Sequence, residues 1–341
     1  MIRRTYKGLT NIGVNSHKDI IPLCHRCTLL IKSHTNMNIQ HRKASSASYC
    51  MDLVKRRDYE HYLTSLLLPD RIRPMGFALR ALNVEIASIR DNVSDTSIGK
   101  MRVQFWKDGI NELQKINNTT ENYDECQIPN HPILIELHKC LLKHPNISFE
   151  LLHRLVKSRE IFLSDHHQPF KSMDDVEKYA DNAFSSINNI LLECLVECNN
   201  EIELNGHARH CANQLGKAEG IVTILKGLPY NVSRKNVYLP LSLLVSHKIS
   251  TESILRGIID DEFLHVIEVI AATSEEHLEN GRFRKKYLNN DEKRIMLTAV
   301  PIDTYLSKLS KVKCNVFDKS LLTKDAWLPF KLYVQKLKKS F

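Results

Sequence analysis

Glycine and proline are scarce, eleven of each in 341 residues. Runs alternating Val and Ile are also rare, so an open sheet of hairpin-linked strands is excluded in favour of helices. No apolar run reaches the length that a membrane-spanning helix requires. Gly-rich phosphate loops of the GxGxxG and P-loop kinds are absent, as is a GxSxG nucleophile elbow. No internal repeat of short period and no low-complexity block interrupts the body. The nine cysteines, at 24, 27, 50, 126, 140, 194, 198, 211 and 314, form no disulfide framework, which fits a reducing compartment such as cytosol or mitochondrial matrix. Cys194 and Cys198, four apart on an apolar helix, read as core packing.

Acids are the other scarcity, and a local one. Residues 1–50 carry Arg3, Arg4, Lys7, Lys18, Arg26, Lys32, Arg42 and Lys43 against Asp19 alone. The remainder holds 40 basic and 38 acidic residues, so the formal charge of +9 belongs almost entirely to the start. A nearly neutral body argues against a nucleic-acid partner. The basic, serine-bearing start reads as a mitochondrial transit peptide over residues 1–48, with a disordered basic tail as the other reading. Ile20–Ile31 is broken by Cys24, His25, Arg26 and Cys27, so it is neither a signal core nor a span. That CHRC string also lacks the second CxxC of a zinc site.

Residues 49–341, in a chain that is 43% hydrophobic, are enough for a single all-α domain with one large core. Helices are expected over Met51–Leu68, from after Pro74 through Ile89 (Phe77, Ala78, Ala81, Leu82 and Ile89 inward), and over Thr96–Ile116 (Met101, Phe105 and Ile110 inward). Others follow over Pro132–Leu142, Ser148–Leu163 and Ser172–Glu197, the last begun by Ser172 with Asp174 and Asp175 in its first turn. Ile116–Pro132 reads as a polar loop and Ser164–Phe170 as a linker, whose adjacent His166 and His167 make a poor metal pair. Beyond Pro240, helices are expected over Leu241–His247, Thr251–Thr273, Asp291–Ala299 and Pro301–Leu309. The basic amphipathic end, Trp327–Phe341, either lies on an anionic membrane or packs one face on the body.

Residues 208–240 are the most informative. Ala208, Cys211, Ala212, Leu215, Ala218, Val222 and Leu225 recur at helical spacing, giving one buried face and a helix that should end near Gly227 and Pro229. A turn and Tyr238-Leu239-Pro240 follow. His207, His210 and Cys211 read as a polar helix start rather than a metal cluster. The segment resembles the second signature of the squalene and phytoene synthase family, Gly-x-Ala, an Asn-Ile-x-Arg-Asp core and then Tyr-Leu-Pro. Gly216 and Ala218 match, Thr223-Ile224-Leu225-Lys226-Gly227 replaces the acidic core, and Asn231 stands where a second acid is expected. The first signature is similarly degenerate in Phe77–Ala87: Arg80 matches, but Asn83, Val84 and Ala87 take acidic places. Glu85 is turned about 200° from Asn83 along a helix, off that face, and Asp91 faces roughly the right way but cannot rebuild a pair alone. Ile98–Ile110, with Arg102, Phe105 and Trp106, and Phe170–Tyr179 complete a resemblance covering most of residues 55–275.

The resemblance implies an isoprenoid-synthase helical bundle. Active members hold magnesium with carboxylates spaced four apart on a helix, so that the ions neutralise departing pyrophosphate. With Asn83, Ala87, Gly227 and Asn231 at those positions, it implies a pseudoenzyme with no catalytic residue, no metal and no cofactor. Tyr49–Glu60, Phe77–Glu85 and Ile98–Trp106 are most similar to a non-catalytic mitochondrial branch. That likeness implies a non-catalytic factor on the matrix side of the inner membrane, peripherally associated with it. Its expected role is an early step in building respiratory complex I, with subunits of that complex or other assembly proteins as partners. Arg80, Asn83, Ala87, Gly216, Glu219 and Thr223 are expected to line a retained cavity for a lipid or an apolar client segment. Two alternatives stand beside it: a prenyl-diphosphate transferase using the displaced acids Glu85, Asp91 and Glu219, and a lipid-binding scaffold unrelated to respiration.

Overall fold

A computed structural model describes residues 45–93, 95–119, 128–163, 170–199, 201 and 203–341. Most of the expected transit segment, with its CHRC string, lies outside the described residues, as do His166, His167 and residues 120–127 of the polar loop before Pro132. Among the described residues every regular element is helical. The first, α1, spans Ser46–Arg57, so helix begins ahead of the expected Tyr49.

Asp58 divides the helix expected over Met51–Leu68. Its backbone leaves the helical region (φ −142°, ψ 69°), and its side chain accepts from the His61 amide to cap α2, Tyr59–Leu66. Arg73–Ser88 is α3, Thr96–Asn118 α4, Pro132–Leu141 α5 and Phe149–Lys157 α6. Within α4 the inward residues are Val103, Trp106, Ile110 and Leu113, whereas Met101 and Phe105 face outward. The seam starts at Gly99, which lies against Leu163. Adding three and four residues from there leads to Val103 and Trp106 and leaves the other two on the opposite side.

Met173–Ala180 is α7, opened by a reciprocal Ser172–Asp175 capping box. A π-helical turn, Asp181–Ser185, joins it to α8, Ser186–Asn199, so the long helix expected from Ser172 carries one wide turn. The central element is α9, Gly206–Ser233, which packs against α7, the π turn and α8. The seven apolar positions expected to share a face are all buried. The helix does not stop at Gly227 or Pro229, however. A mid-helix proline costs about 3 kcal/mol, and the fully buried Leu225 and Leu228 before it, with Val232 packed against the core after it, hold the last turn in place.

After Tyr238-Leu239-Pro240 come α10, Leu241–Ser246, α11, Thr251–Leu255, and α12, Asp261–Phe283, which lies along α9. Asn290–Ile295 (α13), Ala299–Lys311 (α14) and Leu328–Leu337 (α15) complete the described fold. Among the described residues no helix is long and apolar enough to cross a membrane.

Candidate functional site

Two helices face each other across the centre: α3 brings Arg80, Asn83 and Ala87, and α9 brings Glu219, Thr223, Gly227 and Asn231. Small residues let them sit deep. A Cβ on Gly216 would lie 2.4 Å from the Ser185 backbone nitrogen, and one on Gly220 would lie 2.7 Å from the Ala180 Cα. Gly216, expected to line a cavity, is thus a packing contact with the π turn. Its lack of a side chain serves close approach rather than an occupant.

Two adjoining cavities open between α3 and α9. The larger is about 740 Å³, and its wall includes Asp58, His61, Asn83, Ala87, Glu219 and Thr223. The smaller is about 250 Å³ and mostly apolar, with Ile86, Phe162, Tyr179, Gly227, Asn231 and Tyr238 in its wall. Ala87, Asp91, Arg159, Thr223, Tyr230 and Arg234 border both. Arg80 is not on either wall; it lies buried behind, bonded to Glu219. Glu85 borders the larger cavity together with Asp91, although helical geometry places it off the Asn83 face, because the wall wraps around α3.

The floor is a four-residue charge network. Glu219 Oε1 accepts from Arg80 Nη1 at 2.6 Å and from His61 Nε2 at 2.8 Å, while His61 Nδ1 sits 2.7 Å from Asp58. Burial pushes the Glu219 carboxyl up, but Arg80 and then His61 outweigh it and take it down to about 2. Burial and Arg80 push the His61 imidazole down, and the carboxylates of Asp58 and Glu219 overcome both to hold it at about 9. Asp58, also raised by burial, is drawn to about 2 chiefly by His61. Two cations and two anions therefore cancel.

Those residues do not fit the magnesium of the active synthases. The expected acidic positions are Asn, Ala, Gly and Asn; of the two acids on the cavity floor, Asp58 has both oxygens within 2.7 Å of His61 Nδ1, and Glu219 gives Oε1 to two cations. Only Glu219 Oε2 is without a partner, whereas magnesium is held octahedrally by several oxygens. Among the described residues, no three His, Cys, Asp or Glu side chains group so as to hold a metal. His207 instead stacks on Tyr287, with ring centroids 4.3 Å apart, and its amide is capped by Asn205.

Above the floor, at the C-terminal end of α6, sits Arg159. It donates to Asn83 Oδ1 at 2.6 Å and to the Tyr179 hydroxyl, with the Tyr179 and Phe184 rings within 5.3 and 5.9 Å. Sequence reasoning missed Asp58, His61 and Arg159. Nothing in sequence singled out the last, one of three Arg or Lys residues in the amphipathic stretch Phe149–Leu163, and the first two needed the α1–α2 break to be known.

A closed array of helices around a cavity between α3 and α9 is the architecture of the isoprenoid synthases. A solved dehydrosqualene synthase superposes with a TM-score of 0.67 over 86% of this chain and 95% of its own, at 17% identity. The model of the squalene/phytoene synthase family matches residues 54–327, and the chain belongs to that family. Among curated proteins it is similar to the mouse "NADH dehydrogenase (ubiquinone) complex I, assembly factor 6", 37% identical across 86% of this chain and 82% of that one. The Drosophila melanogaster homologue of that factor is 35% identical, across 86% of this chain and 84% of its own.

Proposed function

We propose that this chain is a non-catalytic assembly factor for mitochondrial respiratory complex I. The observation that carries this is similarity along most of both chains to proteins named for that role. The charge-neutral floor supports the pseudoenzyme reading. Where a synthase needs free carboxylates to gather magnesium, Asn83, Ala87, Gly227 and Asn231 stand instead, and Glu219 is already neutralised. With carboxylates missing at Asn83, Ala87, Gly227 and Asn231, the cavity costs less to fill with an apolar occupant, and we assign it a lipid or a hydrophobic client segment. The basic residues 1–48 act as the mitochondrial address.

Peripheral contact with the matrix face of the inner membrane belongs to the same reading. On α15, Leu328 and Leu332 face the body, while Trp327, Phe330, Tyr333 and Leu337 are exposed. At 100° per residue those four fall within an arc of about 120°. Lys336, Lys338 and Lys339 flank them, a composition suited to an anionic lipid surface.

Depletion of the protein is expected to lower assembled complex I, measured on native gels; normal complex I levels would sink the assembly reading. The enzyme reading is tested by incubating purified protein with magnesium and farnesyl or geranylgeranyl diphosphate. No pyrophosphate release is expected. Release abolished by Glu85→Ala or Glu219→Ala would restore a catalyst.

A further inference from the structure

Arg159 is 7% exposed, and among the described residues it has no carboxylate within ion-pair distance. Its hydrogen-bond partners, Asn83 and Tyr179, are both neutral, and its buried Nε–H has none. A buried cation held only by neutral groups is costly unless a counter-ion arrives. The other buried cations of this site, Arg80 and His61, are matched by Glu219 and Asp58. The smaller cavity adds Arg90 and Arg234 against Asp91 alone, and Ile86, Ile89, Phe162, Leu163 and Ile224 give it an apolar wall.

We propose that Arg159 anchors a metal-independent site for an anionic amphiphile, its carboxylate or phosphate head on the guanidinium and its hydrocarbon chain in the smaller cavity. This deepens the reading that the cavity is kept for an occupant, and rests on it. A free Nε–H beside a guanidinium nitrogen is the edge that grips an oxyanion through two parallel bonds. The head group replaces the missing counter-ion, and no divalent ion is needed because the protein supplies the positive charge itself.

The full-length chain, in EDTA, is titrated calorimetrically with dodecanoate, dodecyl phosphate, dodecanol and inorganic phosphate below micellar concentrations. Dodecanoate or dodecyl phosphate should bind at one site about tenfold or more tighter than dodecanol. Whichever is tighter identifies the head group. Arg159→Gln should erase that preference, while Arg256→Gln, on the exposed surface, should keep it. Gly227→Leu tests the chain half without touching the charge, since a Cβ there meets only Asn231 Nδ2, at 3.3 Å. It should weaken both amphiphiles about tenfold.

Equal binding of dodecanol and dodecanoate, binding that requires magnesium, or unchanged affinity in folded Arg159→Gln would overturn the site. Inorganic phosphate binding as tightly as dodecyl phosphate would overturn its amphiphile character. Should Arg159→Gln not fold, unchanged binding by Gly227→Leu overturns the proposal by itself. The assembly reading is separable. Normal complex I after depletion defeats that reading and leaves these titrations as they are, whereas loss of the head-group preference with complex I restored detaches the site from assembly.

Discussion

Glu219 keeps its charge in the core because Arg80 and His61 share one of its oxygens. Removing one partner leaves an uncompensated buried charge, so Arg80→Met is expected to lower stability by about 3–5 kcal/mol in urea unfolding. Adding Glu219→Leu should recover much of that loss, because the charge that needed Arg80 is then gone. A double mutant no better than the single would count against the network. The same residues set the pH response. Asp58 and Glu219 sit below their unfolded values of about 4, so their contribution is present above that pH and lost as pH falls through about 2. His61 sits above its unfolded value of about 6.5, so its contribution is full below that pH and lost as pH rises through about 9. Stability should therefore be highest from about pH 4.5 to 6.5, and His61→Phe should remove the decline between neutral pH and 9.

Helix α9 sits where it does because of its small residues. Gly216 and Gly220 let the π turn and the end of α7 approach to backbone contact. Gly216→Ala and Gly220→Ala should each destabilise by about 1–3 kcal/mol through overpacking, read as a fall in the urea midpoint. Gly227 is the internal control: its Cβ meets only a side-chain amide, so Gly227→Ala should be neutral or gain about 0.5–1 kcal/mol from helix propensity. Helical spacing predicted the buried face of α9, but the same sequence signals ended it too soon at Pro229. Local propensity counts the lost hydrogen bond, and it has no access to the neighbours that bury Leu225 and Leu228.

At the scale of the molecule, α15 presents the aromatic stripe of Trp327, Phe330, Tyr333 and Leu337 on the side opposite Leu328 and Leu332. If that surface meets lipid, Trp327→Ser with Phe330→Ser should cut co-sedimentation with anionic vesicles severalfold. Thermal stability should hold, since neither side chain is buried. Equal co-sedimentation would remove α15 from the membrane reading. In sequence this end reads equally as a packed helix and as a lipid-facing one. The structure assigns one face to the body and leaves the other exposed.

Helical class, the order of the main helices and the loss of acids at Asn83, Ala87, Gly227 and Asn231 are legible in the chain alone. Periodicity and residue identity are local properties, and a missing carboxylate stays missing in any fold. Where charges meet is not local. Asp58, His61, Arg80 and Glu219 converge across 161 positions of sequence, and Arg159 reaches the same cavity from just beyond the end of α6. Gly216 reads as a cavity residue in its motif, yet it becomes a packing contact once the π turn is brought against it. Pairing free energy depends on separation and burial, and those exist only after α2, α3, α6 and α9 have come together.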